Sequence, residues 1–233
     1  MLSSKSSFPG PFPPEKIWIL GAGRFGFIAA QRLSRRLPQS DFLVIELRED
    51  RLAKIHRDLG LPIHVEDSLS FICKKPVADD IWIVPAIPVH VAFQWMLHEL
   101  NKIGKASSLP VPEAVDPQVP NPYRMPNGTL YASFATFICP DSCNEPDDIC
   151  TYTKQPRPGN LFEHLARIRL PDFNVAVIRS WQLAPGVGGY PAGYLREIFT
   201  QQVARQPGNH LIATSCRCHG VIDALHWSLT GQK

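Results

Sequence analysis

The chain has 233 residues, of which 44% are hydrophobic and 19% charged, as is typical of a globular protein with a sizeable core. Its net charge of +3 is small and its basic residues are scattered, which excludes the charge pattern of a nucleic-acid-binding protein. No apolar stretch approaches the roughly 18 residues that a membrane-spanning helix needs, and residues 1–15 lack the hydrophobic core of a signal peptide. We therefore expect a cytoplasmic protein without a membrane span.

The first half of the chain alternates short apolar runs with amphipathic stretches. Strands are predicted at 17–20, 42–46, 63–65 and 81–84, and helices at 25–37, 49–59 and 89–102. This alternation is typical of a doubly wound, mostly parallel sheet, so we predict an α/β, Rossmann-like fold. On the last of these helices, His90 and His98 are expected to be ordinary packed or surface histidines.

Composition divides the chain into four predicted parts. They are a Ser- and Pro-rich disordered arm at 1–15, an NAD-binding domain at 16–105, a Pro-rich linker without regular structure at 106–128, and a cysteine-rich α/β half at 129–233. In the last part we predict strands at 130–138, 173–178 and 210–214, helices at 160–168 and 191–205, a glycine-rich loop at 184–189, and a final helix from Val221. This half is predicted to extend the first sheet or to pack on it.

A glycine motif, Gly21-Ala22-Gly23-Arg24-Phe25-Gly26, joins the first predicted strand to the first predicted helix. In this pattern Gly21 permits the sharp turn, Gly23 lets the backbone approach a pyrophosphate, and Gly26 lets the helix pack against the sheet. The free amides of the helix N-terminus would face the phosphates, with Arg24 and Phe25 beside them. The motif therefore predicts a dinucleotide-binding loop.

Glu46, the last residue of the second predicted strand, is the expected partner of the adenosine ribose. Its carboxylate can accept hydrogen bonds from both ribose hydroxyls and would repel a 2′-phosphate, despite the nearby Arg48 and Arg51. The predicted cofactor is therefore NAD(H) and not NADP. The alternative is a Rossmann domain that keeps its turn glycines and binds no nucleotide.

Residues 16–85 resemble the NAD-binding domain of the TrkA-type potassium-uptake regulators. The resemblance rests on the glycine motif and its helix, on Val44-Ile45-Glu46, on Arg51-Leu52 and on Leu61-Pro62-Ile63-His64-Val65-Glu66-Asp67. It implies NAD(H) binding in a regulatory role, through Gly21, Gly23, Gly26 and Glu46. The chain departs from the family at Glu66-Asp67, where a Gly-Asp pair is usual, and nothing after residue 90 resembles the family's ligand-sensing C-terminal module.

Five of the six cysteines fall into two groups in the second half of the chain, while Cys73 stands alone and is expected to be a buried small hydrophobe. The first group is Cys139, Cys143 and Cys150, and the second is Cys216, Cys218 and His219. Both groups follow predicted strands. If those strands join the parallel sheet, the cysteines emerge at the carboxyl edge that also holds the glycine loop.

Four of these six side chains are expected to hold a metal site. Thiolate and imidazole donors suit tetrahedral zinc, and four thiolates suit an iron–sulfur cluster, so both cofactors stay open. The alternative is a set of free thiols or a reversible disulfide between Cys139 and Cys143. Neighbouring carboxylates disfavour a nucleophilic thiolate, and Cys218 and His219, as sequence neighbours, are not expected to form a catalytic dyad.

The glycine-rich loop at 184–189 is a candidate anion site. Gly186, Gly188 and Gly189 would present backbone amides at the next helix start, with Arg179 and Gln182 as added donors. A flexible strand-to-helix turn is an equal alternative, because no lysine or hydroxyl follows at phosphate-loop spacing.

Together these features predict an NAD(H)-binding protein with a cysteine-ligated metal or iron–sulfur site, acting as a redox enzyme or redox sensor. Its partners would be a small molecule or an electron-transfer protein and not nucleic acid, and a homo-oligomer stays open. The alternative is a non-catalytic, TrkA-type regulatory module with a structural zinc site. No substrate and no catalytic residue follow from the sequence.

Overall fold

The computed structural model describes residues 10–229. Residues 10–103 contain four strands and four helices in strict alternation, as the sequence predicts for all but one helix. The strands are β1 (Lys16–Leu20), β2 (Asp41–Glu46), β3 (Ile63–Val65) and β4 (Ile81–Pro85). The helices are α1 (Arg24–Arg36), α2 (Glu49–Leu59), α3 (Ser68–Lys74) and α4 (Val91–Ile103).

The second half is richer in strands than the sequence predicts. Its strands are β5 (Gly104–Leu109), β6 (Tyr123–Arg124), β7 (Leu130–Ser133), β8 (Phe173–Arg179), β9 (Trp181–Ala184), β10 (Val187–Pro191), β11 (Gly208–Ser215) and β12 (His219–Leu229). Its helical segments are a 3₁₀ helix (Glu113–Gln118), α5 (Leu161–Leu165), α6 (Ala192–Ile198) and a π-helical turn (Phe199–Val203).

Local sequence explains where several helices begin and end. The side chain of Asp67 caps α3 by accepting a hydrogen bond of 2.8 Å from the amide of Ser70. Gly60 ends α2 in the left-handed conformation, with φ of 68°, and its amide donates to the carbonyl of His56. Basic residues Arg35 and Arg36 lie in the last turn of α1, where the helix dipole favours cations.

The first sheet has the strand order β3-β2-β1-β4-β10-β9. β1 pairs in parallel with β2 and β4, and β2 pairs in parallel with β3, whereas β10 runs antiparallel to β4. With helices between its parallel strands, the protein has the predicted α/β fold. The sheet is completed by the β9–β10 hairpin from the second half of the chain.

The second sheet is separate and mixed, with the order β6-β7-β12-β11-β8 and with β5 pairing alongside β12. β8 and β11 are parallel, while β11 and β12 form an antiparallel hairpin from Gly208 to Trp227. The cysteine-rich half therefore does not simply extend the parallel sheet. Its strands form a second sheet, apart from the hairpin that joins the first.

Three local predictions are wrong. The final helix predicted from Val221 is part of β12. Four consecutive residues, Ile222 to Leu225, are buried on both faces of the sheet, so the segment lacks the alternation that marks a half-exposed strand. The linker predicted to be irregular contains β5, a 3₁₀ helix and β6, which pair with or pack on the second sheet. The strand predicted at 130–138 ends at Ser133, beyond which the chain leaves the sheet.

One apolar core spans both halves of the chain. Ile17 and Trp82 of the first sheet, Tyr190 of the inserted hairpin and Trp227 of β12 belong to the same buried cluster. A smaller cluster, which includes Leu130, Leu161 and Ile222, covers another part of the second sheet. Burial of side chains of this size is the main stabilising contribution to such a fold, so the two halves are stabilised together.

The predicted arm is only partly within the described residues, because residues 1–9 lie outside them. Phe12, in the described part, packs edge to face on Trp82 with ring centroids 5.6 Å apart. Within residues 10–229, no helix has the length and apolar character needed to cross a bilayer.

Candidate functional site

The glycine loop follows β1 directly, and its geometry explains each glycine separately. Gly21 has φ of 107°, a conformation that side chains rarely adopt, and a Cβ there would lie 2.8 Å from the carbonyl oxygen of Ala86. A Cβ on Gly26 would lie only 2.0 Å from the carbonyl oxygen of Gly21. In contrast, a Cβ on Gly23 would meet nothing closer than the Nη1 of Arg51, at 3.7 Å. Gly21 and Gly26 are thus required by the fold, whereas Gly23 keeps the space above the loop open.

Glu46 lies beside this loop, at the end of β2. Its Oε2 accepts hydrogen bonds from the amide of Ala22 (3.0 Å) and from Nη1 of Arg51 (3.3 Å). Its Oε1 accepts from the amides of Leu47 (3.1 Å) and Arg48 (3.2 Å). Burial opposes ionisation, but the amides of Ala22 and Arg48 and the Arg51 guanidinium together lower the pKa of Glu46 below its ordinary value. Glu46 is therefore an ionised carboxylate that holds the loop.

Arg24 and Phe25 occupy the first turn of α1. The guanidinium of Arg24 lies 5.8 Å from the centroid of the Phe25 ring, and Phe25 is 65% exposed. An exposed aromatic ring beside free helix amides is available for contact with a ligand. The loop, Arg24, Phe25 and Glu46 all lie near the carboxyl ends of β1 and β2.

The five clustered cysteines and His219 all line one cavity of about 430 Å³. Three separate segments bring them together. Cys139 and Cys143 come from the loop after β7, Cys150 comes from a small hairpin at 148–157, and the second group forms the tight turn between β11 and β12. Glu145 fastens two of these segments together, since its Oε1 accepts a hydrogen bond of 2.7 Å from the amide of Arg217.

Backbone amides point at the sulfur atoms of this cavity. The amides of Cys218 and His219 both lie 3.4 Å from Sγ of Cys216, and the amide of Glu145 lies 3.3 Å from Sγ of Cys143. The hydroxyl and then the amide of Thr153 lower the pKa of Cys150 in the same way. Such donors favour sulfur that carries negative charge, and hydrogen bonds to ligand sulfurs tune metal–thiolate centres.

The electrostatics of the cavity differ from one thiol to the next. Burial raises the pKa of the Cys139 thiol, as do the nearby Cys143 and Cys150, and burial together with Glu145 raises that of Cys216. Burial raises the pKa of Cys218 to about 11, although Arg157 opposes the shift. Without a bound cation these three thiols are protonated at neutral pH and are poor nucleophiles, whereas a metal ion would displace their protons.

Within residues 10–229, no group of three or more histidine, cysteine, aspartate or glutamate side chains is arranged to hold a metal ion. Among the predicted ligands, Sγ of Cys216 lies 3.9 Å from Nδ1 of His219. The donor types and their amide hydrogen bonds suit a metal, but ligation requires the thiols to turn toward the centre of the cavity.

The glycine-rich segment is a hairpin and not a loop before a helix. Gly188 and Gly189 lie in β10, and Gly186 forms the turn with φ of 66°. A Cβ on Gly186 would lie 1.9 Å from the carbonyl oxygen of Asp141, and the amide of Gly186 donates to the carbonyl of Cys143. The amides of this turn therefore support the cysteine loop. No anion cradle formed by a loop and a helix start is present at 184–191.

The two donors predicted to assist that loop also have other partners. Gln182 donates through Nε2 to the carbonyl of Cys143, at 2.7 Å. The guanidinium of Arg179 lies over the rings of Phe162, at 4.4 Å from the centroid, and Trp181, at 5.2 Å. Burial and the neighbouring Arg217 lower the pKa of Arg179. Arg179 thus lies in a second, polar cavity of about 400 Å³ beside the first, together with Arg36 and Glu145.

The loop that carries Cys139 and Cys143 contacts the side of helix α1. Nη1 of Arg32 donates to the carbonyls of Asp141 and of Pro185, the latter at 2.6 Å. Arg32 follows Gly23 by nine residues, so its Cα lies roughly 13 Å along the axis of α1 at 1.5 Å per residue. The prediction that the cysteines emerge at the sheet edge that holds the glycine loop is wrong, because they follow strands of the second sheet. Helix α1 and Arg32 connect the two regions instead.

Several residues on the cavity wall were not predicted, among them Arg157, Thr214 and Ser180. Arg157 lies opposite Asp148 in the small hairpin, Thr214 lies on β11, and Ser180 lies between β8 and β9. None carries a motif in the sequence. Thr214 is two residues before Cys216, on the same strand, and this is the only local signal that could have pointed to it.

Two comparisons relate the chain to known proteins. The family model described as "AF_1314_C: Uncharacterized protein, C-terminal domain" matches residues 92–228, which is more than half of the chain. A protein from Archaeoglobus fulgidus described as "Uncharacterized protein" is 29% identical over 227 residues, covering 89% of this chain and 97% of that protein. No solved structure matches the chain. The chain belongs to the AF_1314_C family, and the matched region contains all five cysteines of the cavity.

Proposed function

We propose that this member of the AF_1314_C family is an NAD(H)-binding redox enzyme or redox sensor with a cysteine-held metal or iron–sulfur centre. The observation that carries the proposal is the convergence of five cysteines and His219, from three separate segments, on one cavity. Its partner would be a small molecule or an electron-transfer protein in the cytoplasm. The nucleotide would bind at the glycine loop, through Gly21, Gly23, Arg24, Phe25, Gly26 and Glu46.

The nucleotide part of the proposal is supported by the loop geometry. The open space above Gly23 admits a pyrophosphate, and the first amides of α1 would donate to it. All four lone-pair positions of the Glu46 carboxylate are engaged by protein donors, of which only the half-exposed Arg51 can move freely. Binding of the ribose hydroxyls would therefore displace Arg51 from Glu46. This nucleotide role agrees with the resemblance of residues 16–85 to TrkA-type regulators.

The metal part is supported by the amide donors at Cys143 and Cys216 and by the size of the cavity. A volume of about 430 Å³ exceeds the space that one tetrahedral ion needs among its ligands, and four thiolates are the usual ligands of an iron–sulfur cluster. When bound, such a centre would accept and release single electrons. NADH, in contrast, gives up two electrons together, as a hydride. Cys139, Cys143, Cys150, Cys216 and Cys218 are the thiols from which its ligands would come.

A structural zinc site in a non-catalytic, TrkA-type regulatory module is the second candidate. It is favoured by the pair formed by Cys216 and His219, whose Sγ and Nδ1 atoms are 3.9 Å apart. Mixed thiolate and imidazole ligands are typical of zinc and are less common at iron–sulfur clusters. In this case chelation of the metal should abolish cooperative unfolding of the second sheet.

Calorimetric titration with NAD⁺ and NADH tests the nucleotide part and separates the two roles. A sensor should bind the two forms with different affinities and without turnover, because equal affinities could shift no conformational equilibrium.

A redox enzyme should oxidise NADH with an acceptor, and Cys218→Ser should abolish turnover while leaving nucleotide affinity within about twofold of the unmodified protein. Cys73→Ser is the matched control, since Cys73 lies on α3, away from the cavity. Failure of both nucleotides to bind would overturn the nucleotide part.

A further inference from the structure

A buried polar network joins the first half of the chain to the β11–β12 hairpin. Nδ1 of His90 lies 2.8 Å from Oδ2 of Asp223, and Nε2 of the same ring lies 2.8 Å from the hydroxyl of Thr214. The other carboxylate oxygen of Asp223 accepts a hydrogen bond of 2.6 Å from the hydroxyl of Thr129. The side chain of His90 is only 4% exposed, and that of Asp223 is 12% exposed.

The strand register explains how this network is assembled. Thr214 pairs with Val221, and Asp223 pairs with Ile212, so Thr214 and Asp223 lie on the same face of the hairpin. His90 immediately precedes α4 and places its imidazole between them. Phe93, one turn further along, stacks on the imidazole with centroids 5.9 Å apart and an interplanar angle of 22°. The ring is therefore held in one orientation.

The partners of His90 suit one tautomer of its imidazole. In the arrangement that the proposal uses, Nδ1 of His90 donates a hydrogen bond to the carboxylate of Asp223. Nε2 then accepts a hydrogen bond from the hydroxyl of Thr214, which lies 2.8 Å away. This hydrogen bond polarises the hydroxyl of Thr214 toward the buried imidazole. This is the order of contacts, carboxylate to imidazole to hydroxyl, that activates a hydroxyl nucleophile.

Thr214 is also the member of the network that lines the cysteine cavity. Ser180 is another of the residues that line it. On the wall of the same cavity, Nε and Nη2 of Arg157 are buried and have no hydrogen-bond partner among the described residues. A guanidinium with buried, unused donors is costly unless an acceptor binds to it. The cavity thus holds an activated hydroxyl and a free cationic donor for an anionic group.

We propose that Thr214, His90 and Asp223 form a nucleophilic triad that transfers acyl groups from carboxylate-bearing esters bound in this cavity. Thr214 is the nucleophile, His90 is the general base, and Asp223 and Thr129 position the imidazole. Arg157 binds the carboxylate of the substrate. The inference uses neither the nucleotide nor a metal, so it goes beyond the redox function. The ester and the proposed metal centre would lie in the same cavity, and the two proposals are therefore tested by separate readouts on the same protein.

The reaction proceeds in two balanced steps. Thr214 Oγ1 attacks the ester carbon as Nε2 of His90 takes its proton, and the carbonyl π electrons move to oxygen. Collapse of this adduct re-forms the carbonyl and expels the alcohol, which takes the proton from His90. Water, deprotonated by the same nitrogen, then attacks the acyl-Thr214 ester, and collapse of this second adduct releases the acid while His90 returns the proton to Thr214 Oγ1. Asp223 remains ionised throughout.

The test is covalent labelling of the full-length protein with a fluorophosphonate, which phosphonylates activated hydroxyls with loss of fluoride, followed by mass spectrometry of peptides. We expect label on Thr214, no label in Thr214→Val, faster labelling in Thr214→Ser, and labelling at least about tenfold slower in His90→Gln. Ser180→Ala is the control that should label normally. Circular dichroism and metal content of each variant report separately on the fold and on the redox site.

Substrate class is tested with two esters, 4-nitrophenyl acetate and mono-4-nitrophenyl succinate. Each rate is corrected for hydrolysis without protein, because the succinate carboxylate expels 4-nitrophenolate intramolecularly. The succinate ester should be hydrolysed about tenfold faster or more, an advantage that Arg157→Met should remove, and Thr214→Val should remove the turnover of both esters. Label on Ser180 or on neither hydroxyl, or labelling unaffected by His90→Gln in a folded protein, would overturn the triad. Equal rates for both esters would overturn the role of Arg157.

Discussion

Oε2 of Glu46 and the backbone amide of Ala22 are joined by a hydrogen bond of 3.0 Å, which connects the end of β2 to the middle of the glycine loop. The same carboxylate that we expect to bind the ribose therefore also shapes the loop that would bind the pyrophosphate. We therefore expect nucleotide binding and stability to be coupled at this residue. A substitution at Glu46 should change both, in ways that separate measurements can resolve.

Glu46→Gln should lower stability in a pH-dependent manner. Because the folded protein lowers the pKa of Glu46 below its ordinary 4.5, the carboxylate contributes stability above that pH, and the contribution is lost as the pH falls through the folded pKa. We expect a loss of about 1–2 kcal/mol at neutral pH that shrinks below about pH 4. Urea unfolding at the two pH values measures it, with the exposed Glu197→Gln as control. An equal loss at both values would contradict this role.

Gly26→Ala and Gly23→Ala should separate the structural glycines from the ligand-binding one. A Cβ at Gly26 would lie 2.0 Å from the carbonyl oxygen of Gly21, so we expect a loss of about 3 kcal/mol or more. At Gly23 the nearest atom is 3.7 Å away, so stability should change by less than about 0.5 kcal/mol while NAD(H) affinity falls. Unfolding curves and calorimetric titration measure the two effects. Unchanged affinity in Gly23→Ala would place the pyrophosphate elsewhere.

Gly186→Ala should disturb the cysteine cavity. Its Cβ would lie 1.9 Å from the carbonyl oxygen of Asp141 and would push away the loop that carries Cys139 and Cys143. Gly60→Ala is a matched control, because Gly60 has nearly the same φ (68° against 66°) but has no atom within 4 Å of its Cβ position. Both variants should lose about 1 kcal/mol from backbone strain. Only Gly186→Ala should also lose bound metal, as measured by elemental analysis.

Arg32→Met should loosen the contact between α1 and the cysteine loop. Arg32 donates to the carbonyls of Asp141 and Pro185, and removing it leaves both acceptors without this partner, at a cost of about 1–3 kcal/mol. Faster hydrogen exchange across residues 139–147 is the expected result. Arg35→Met, an exposed change on the same helix, should leave exchange in that loop as it is. No difference between the variants would show that Arg32 does not fasten the loop.

The parts of the fold that follow from local sequence were predictable. Helix α2 and strand β3 have the predicted limits. For α2 the signals are local, namely the amphipathic spacing of its residues and the glycine that ends it. The β11–β12 hairpin shows the opposite case. The pairing of Ser215 with Gly220 brings two cysteines and a histidine into one turn, whereas the sequence shows only an apolar run that is also compatible with a helix.

The candidate site was predictable in its donors but not in its surroundings. The clustering of cysteines along the chain indicated a shared site, and the structure places all five on one cavity. The contact of Thr214 with His90 spans 124 positions in sequence, and Arg157 reaches the cavity only because a small hairpin closes between Ile149 and Pro156. Contacts between residues this far apart in sequence depend on tertiary packing, which local sequence patterns do not indicate.

The most direct test of the redox proposal is the metal content and visible spectrum of the protein, purified without oxygen and without a metal-affinity tag. We predict a brown protein that contains iron and acid-labile sulfide, is bleached by reductant, and loses its colour in Cys143→Ser but not in Cys73→Ser. A colourless protein with stoichiometric zinc would instead support the structural zinc site. Protein that contains neither metal would contradict the cysteine-held centre and leave the cavity to thiol and hydroxyl chemistry.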